Sequence, residues 1–414
     1  MKIKNIRLAG LGFIAAAALS ACSDVVNYED ELVDKFAADG APVIEAIYDV
    51  QDTGFAEPLT GGVLNQMLRI KGKNLSFVKK ITFNGVEVDV RQVYAESANS
   101  YVKIPRVIPE SVTNQLVYET QNGTVTREFE VNIPTLQLDG LKNEFTLPGK
   151  QVQLVGDYFD LYGFNDSTST TATITITNAE QAYHETIKCD SCTEEFSSII
   201  IPKDCPENSL ITFAWDEMGT QKTKTIPYRM TKDLMFGDFS GDLGWWNDWG
   251  RGLVYTSQSS DDPENLGYAY LRVTGTYGSW AWNSTGFGCN WRWLDASAHP
   301  ENYWVKFEVW TASGSPFYSY GNNDIYNNKN GGYCITLNNG DPRRQFDPVA
   351  EYGLRNTYGQ WITVRMPLDE MISGKPLPTE ESWVNTEFVL QPNNDDGWTV
   401  DHAFGQFRIE PKNY

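Results

Sequence analysis

Histidine is nearly missing from this sequence, with three in 414 residues. Nothing in the chain forms a histidine cluster for metal binding or proton transfer. Positive charge is short as well: 33 Lys and Arg stand against 54 Asp and Glu, for a formal net charge of −21. So acidic a surface repels nucleic acid and anionic lipid headgroups, which excludes both as partners. Neutral ligands such as sugars remain compatible. After the first twenty residues no apolar run is long enough to span a bilayer. From 42 to 230 there is no long helical period, no Gly-rich phosphate loop and no paired-carboxylate motif.

The N-terminus is a targeting segment. Lys2, Lys4 and Arg7 form a positive n-region, and Leu8 to Leu19 is apolar but too short to span comfortably. Leu19-Ser20-Ala21-Cys22 resembles a bacterial lipobox. That resemblance implies a signal peptide over 1–21 and lipidation of Cys22, an anchor worth ~0.8 kcal/mol per buried CH2. Residues 22–41 are acidic and poor in core residues, and read as a tether. Their acidity resembles a surface-export signal. Among the other cysteines, Cys189, Cys192 and Cys205 read as a local disulfide or buried free thiols. A zinc site adding His184 fits no common ribbon spacing, so no metal is expected.

From 42 to 230 short alternating strands are separated by turn signals. "ITFNGVEVDV" carries an Asn84-Gly85 hairpin signal. An internal repeat is visible. "PVIEAIYDV" leads to "LRIKGKNLSFVKKITFNG", and "PTLQLDGL" leads to "VQLVGDYFD", with Gly72 and Gly156 in matching places. The expectation is a strand end, a glycine in a turn conformation, and an apolar plug at Leu75 or Phe159. "KGKNLSFVKKITFNG" resembles the immunoglobulin-like IPT/TIG fold. Two tandem Ig-like β-sandwiches follow, 42–134 and a degenerate 135–230, with the character of spacers.

The last 184 residues differ. Twelve of the thirteen tryptophans lie in 231–414. Strands continue through "YAYLRVTG", "YWVKFEVWTA", "GYCITLN", "QWITVRMPLD" and "FGQFRIEP", which fits a larger jelly-roll-type β-sandwich. Alternation turns Val305, Phe307 and Val309 inward. It puts Trp304, Lys306, Glu308 and Trp310 on an exposed or groove-lining face, and turns Tyr268, Tyr270 and Arg272 outward. Trp361 caps the core edge. The loop-like "GWWNDWG" holds Trp245, Trp246 and Trp249, of which one or two pack beneath a surface. "TYGSWAWNSTGFGCNWRWLD" pairs Trp280 with Trp282 and Trp291 with Trp293, beside Asn283 and Arg292. A sandwich core cannot take twelve indoles without leaving many N–H groups unsatisfied, so several form a surface. Carbohydrate suits such a surface. Indole stacks on the apolar face of a pyranose, and planar amides and guanidinium read its hydroxyl rim. Stacked nucleic acid needs a positive groove; this segment has 13 Lys and Arg against 23 Asp and Glu.

The lipobox, the tandem sandwiches, the opening "LMFGDFSGDLGWWNDWG" and the closing "TYGQWITVRMPLDEM" and "FGQFRIEP" together resemble a known family. It is that of the surface glycan-binding lipoproteins of polysaccharide-utilisation loci in Gram-negative gut bacteria, whose last domain binds xyloglucan. The resemblance implies non-catalytic capture of xyloglucan, β-mannan or β-glucan at the exterior of the outer membrane. It also implies delivery to surface glycoside hydrolases and an outer-membrane importer. No cofactor is expected, and no motif demands a structural calcium. The expected site residues are Trp280, Trp282, Trp291, Trp293, Arg292, Asn283, Trp245, Trp246, Trp249 and Trp310. Replacing Trp282 or Trp291 with Ala is expected to abolish binding and keep the fold. The rival classes are a protein-binding adhesin and a glycoside hydrolase, the latter with Asp238, Asp242, Asp248, Glu308 or Glu351 as carboxylates.

Overall fold

The structure is a computed structural model. It describes residues 34–164, 168–236, 246–247, 254–255, 259, 261–278, 283–319, 331–337, 344–372, 375–392 and 397–414. The lipobox and Cys22 lie outside the described residues. The chain is all-β and divides into two compact units, 1–134 and 135–414.

In the first unit two four-stranded antiparallel sheets enclose one core. One runs Val43–Asp49, Met67–Lys73, Asn99–Lys103, Tyr94–Ala95; the other runs Val86–Glu87, Val78–Phe83, Gln115–Thr120, Gly123–Glu128. Ile47, Leu68, Ile70, Ile81, Val102, Leu116 and Phe129 fill the space between them. The Asn84-Gly85 hairpin forms with both residues at positive φ, 48° and 81°, the conformation its two-residue turn requires.

The repeat has a sharper cause than a turn. Gly72 lies within a strand, opposite a bulge between Ile44 and Ala46. A Cβ there would stand 1.9 Å from the Val43 carbonyl oxygen. Gly156 faces the equivalent bulge between Leu138 and Gly140, and its Cβ would stand 2.1 Å from the Gln137 oxygen. Each glycine therefore admits a close backbone approach rather than ending a strand. Leu75 and Phe159 are buried plugs in both copies.

The second unit holds two sandwiches. Residues 135–230 form sheets Gln137–Leu141, Gln151–Asp157, Ser197–Ile200, Cys189–Cys192 and Tyr183–Ile187, Thr173–Asn178, Ser209–Glu217, Thr220–Tyr228. Cys189, Cys192 and Cys205 are free thiols. The C-terminal sandwich has two five-stranded sheets. One is ordered Trp246–Asn247, Asn283–Trp291, Ser382–Pro392, Gly331–Thr336, Arg344–Phe346; the other Val254–Tyr255, Tyr270–Tyr277, Trp398–Pro411, Tyr303–Thr311, Ile362–Pro367. Between them lie Leu271, Val273, Phe287, Trp291, Val305, Phe307, Phe388 and Phe404.

The second sheet is buried on both faces, which alternation did not anticipate. Lys306, Glu308 and Trp310 are 3%, 0% and 5% exposed, and Tyr270 is buried as well. The 135–230 sandwich packs over this face. Trp310, Trp361 and Tyr270 form a small second core there with Phe145, Leu234 and Leu266. The charges are satisfied by partners. Glu144, from the 135–230 sandwich, meets Lys306 at 3.1 Å, Arg365 at 2.9 Å and Arg408 at 2.7 Å. Lys306 also meets Glu410 at 2.9 Å, and Arg408 meets Glu308 at 3.0 Å. Thr363 Oγ donates to Glu308 at 2.7 Å and accepts the Glu144 N–H at 2.8 Å. Burial opposes ionisation of Glu144, but the three cations overcome it and hold its carboxyl well below the usual range. For Glu308 burial prevails and its carboxyl is raised. Removing one member of such a cluster strands a buried charge, at a cost of about 3–5 kcal/mol.

Candidate functional site: an exposed sheet face of the C-terminal sandwich

The first sheet has one face in the core; the opposite face is open around Trp383 and Asn290 and covered at Val389 and Thr336. Along Asn283–Trp291, Phe287, Cys289 and Trp291 enter the core; along Ser382–Pro392, Val384, Phe388 and Leu390 do the same. The alternate positions share the opposite face. Register places Asn290 opposite Trp383, Gly288 opposite Asn385, and Gly286 opposite Glu387. Trp383 is 48% exposed, the one tryptophan among the large hydrophobics that stand out to solvent among the described residues. Its indole lies diagonally over Gly288, where an added Cβ would fall 2.0 Å from Cζ2 and 2.4 Å from Cε2. Glycine at 288 thus lets the ring approach the sheet closely. The ring's Nε1 donates to Asn385 Oδ1 at 2.8 Å, which fixes its orientation. Asn290 is exposed beside it, and Glu387 is half-buried one row further along.

The edge strand continues this face. Trp246 occupies the register position opposite Gly286; its side chain, with Trp245 and Trp249, lies outside the described residues. So do Trp280, Trp282, the side chain of Asn283, and Asp238, Asp242 and Asp248. What is described is a fixed aromatic plane with amide and carboxylate groups at its border.

Two expected site residues are corrected by the structure. Trp291 is 0% exposed, donates Nε1 to Ser297 Oγ at 2.7 Å and meets the Trp293 ring edge-on at 5.2 Å. It sits on the inward alternation of its strand, so neither face can stack on a ligand. Trp310 is 5% exposed, enclosed in the small core of Leu234, Leu266, Tyr270, Trp361 and Phe145. Trp293 is partly buried against the core. Arg292 is exposed, but its guanidinium lies 4.7 Å above the Trp293 ring and donates to the Leu234 carbonyl at 3.4 Å. The structure does not bring these residues together with Trp383. Of the carboxylates considered for hydrolysis, Glu308 is sealed in the ion cluster and Glu351 is paired with Arg344 at 2.7 Å.

Trp383 was missed by sequence reasoning. Its signal was present in "SWVNTEF", where Trp383, Asn385 and Glu387 alternate with Val384, Thr386 and Phe388. The glycines of "TGFGCNW" gave the other half of the signal.

Residues 228–411 match the family model described as surface glycan-binding protein B xyloglucan binding domain. No curated protein sequence matches the chain. Among solved structures, the chain is similar to the surface glycan-binding protein PbSGBP-B from Prevotella bryantii, at 20% identity and TM-score 0.49, over 91% of this chain and 100% of that one. It is also similar to SGBP-B from a complex xyloglucan utilization locus in Bacteroides uniformis, at 15% identity and TM-score 0.47, over 90% of this chain and 99% of that one.

Proposed function

We propose that this chain, whose C-terminal domain belongs to the surface glycan-binding protein B xyloglucan binding domain family, holds a β-linked polysaccharide at the cell surface without cleaving it. The observation that carries this reading is the Trp383 indole, exposed to solvent, set close against Gly288 and oriented by Asn385. A pyranose presents an apolar face of C–H groups that fits such a ring, and Asn290, Asn385 and Glu387 border it with groups that bond hydroxyls. The ligand class is a β-glucan backbone such as xyloglucan, with β-mannan as the nearest alternative. Affinity is modest, since a few stacked rings supply it. Trp280, Trp282, Trp245, Trp246 and Trp249 are the candidates to extend the platform along the chain of sugars.

The remaining parts follow from that role. Cys22 carries the lipid anchor on the outer membrane, residues 22–41 tether it, and the sandwiches of 42–134 and 135–230 hold the binding domain away from the surface. Captured glycan passes to surface hydrolases and an importer. Isothermal titration with soluble xyloglucan, glucomannan and mixed-linkage glucan tests the reading, comparing the native protein with Trp383→Ala. Loss of binding in the variant with an unchanged melting temperature is expected. Sustained release of reducing sugar by the purified protein would overturn it.

A further inference from the structure

Within the second unit, a cleft of about 550 Å³ opens between the 135–230 sandwich and the C-terminal sandwich, away from the Trp383 face. Its walls carry Trp304, Tyr352, Tyr414, Lys224, Lys412 and Asp139. The three aromatic side chains are held in place rather than loose. Tyr352 Oη donates to the Arg365 carbonyl at 2.9 Å, and Tyr414 Oη donates to Glu410 at 2.8 Å. Both rings remain more than a third exposed. Trp304 is half-buried, with the Lys412 ammonium 4.7 Å from its ring centroid.

This cleft is far less acidic than the chain as a whole. The whole molecule carries −21. Here Lys306 and Arg365 are held in the cluster with Glu144 and Glu410, while Lys224 and Lys412 stand on the walls beside Asp139 and Tyr414. Neither Lys224 nor Lys412 has a carboxylate partner among the described residues. Lys412 instead rests on an aromatic face, an interaction worth only ~0.5–1 kcal/mol at exposed sites, so an arriving carboxylate can draw it away. The cavity falls within the ~300–1,000 Å³ of small-ligand sites. It suits a short, partly apolar ligand with one negative charge, and it is too small for a polymer lying along it.

We infer that this cleft is a second saccharide site that takes a carboxylated sugar, a hexuronate at a chain end or side branch. The sugar ring packs among Trp304, Tyr352 and Tyr414, and its carboxylate bridges toward Lys412 and Lys224. The site is separate from the Trp383 platform, so each can fail without the other.

Titration of the full-length protein with a β-glucuronosyl disaccharide and its neutral glucosyl analogue tests this. The acidic sugar is expected to bind at least about tenfold tighter, the worth of one charge-assisted hydrogen bond. It should weaken in about 0.5 M salt, as a partly exposed ion pair does. Lys412→Gln should remove the preference for the acidic sugar while keeping polysaccharide binding, and Trp304→Ala should remove binding of both disaccharides. Trp383→Ala should leave the acidic disaccharide bound. Equal affinity of the native protein for the two disaccharides, a preference for the acidic one that survives Lys412→Gln, or no binding of the acidic sugar would each overturn the proposal. Lys412 is partly exposed, so its variant decides the matter even if Trp304→Ala fails to fold.

Discussion

Gly288→Ala adds one methyl group beneath Trp383 and deletes nothing. The new Cβ would stand 2.0 Å from Cζ2, 2.4 Å from Cε2 and 2.7 Å from Nε1. Carbon atoms settle at about 3.5–4.0 Å, so the nearest ring atom must retreat by roughly 1.5–2 Å. The indole must tilt off the sheet, and its hydrogen bond to Asn385 at 2.8 Å is lost. Losing that bond costs about 0.5–1.5 kcal/mol, and an off-rotamer side chain costs a further ~0.5–1.5 kcal/mol. A ligand that needs the ring in its native position therefore loses about 1–3 kcal/mol, a roughly 5- to 150-fold weaker Kd. The displaced ring is at the surface and the core is untouched, so the same cost should appear as a fall of only about 2–10 °C in melting temperature, with the fold kept. Titration calorimetry with soluble xyloglucan, next to a thermal melt, reads both quantities. Trp383→Ala is the reference for complete loss of the platform. Native affinity in Gly288→Ala would refute the reasoning, because the ring's position would then be irrelevant to binding.

Trp291→Ala should lower stability by about 3–5 kcal/mol, as expected for a fully buried large side chain; denaturant unfolding measures it, whereas Trp383→Ala should stay within about 0.5 kcal/mol of native. Glu144→Ala should cost about 3–5 kcal/mol in the same assay, because Lys306, Arg365 and Arg408 lose their shared carboxylate. His402 is buried, with Tyr333 Oη at 2.8 Å from Nδ1 and the Ser315 carbonyl at 2.9 Å from Nε2. Burial pushes its pKa from 6.5 down to about 4, against a smaller upward effect of the Ser315 bond. The folded state then binds fewer protons than the unfolded one between those values. Its contribution is whole above about pH 6.5 and is lost as pH falls toward 4, by up to about 3 kcal/mol. Melting curves from pH 7 to 4 should show that decline, and His402→Gln should flatten it.

The all-β architecture was legible because its signals are local. Alternation, the Asn84-Gly85 turn and the paired glycines at 72 and 156 each report on a few neighbouring residues. The glycine repeat was seen correctly but explained by a turn. Its cause, a carbonyl of the preceding strand pressed onto the glycine, is a contact that no local pattern displays. Alternation failed on the strand from Tyr303 to Thr311 for a similar reason. Lys306 and Glu308 marked a polar face correctly, and polar was taken to mean solvated. Glu144, more than 150 residues earlier, turns that face into an interior. Trp291 and Trp293 both pack toward the core, although Trp293 lies beyond the strand, and which side a paired tryptophan takes depends on where the second sheet lies.

The sequence by itself determined the strands, the succession of sandwiches, the acidic charge, and the tryptophan wealth of the last 184 residues. Each of these is a property of composition or of short-range backbone geometry. Only the tertiary structure decided which indoles are free. Trp291 is covered by the facing sheet, Trp310 by a second small core on the outer face of its sheet, and Trp383 is left open over a glycine. Whether an aromatic ring is core or platform depends on what packs against it, and that is settled by residues far away along the chain.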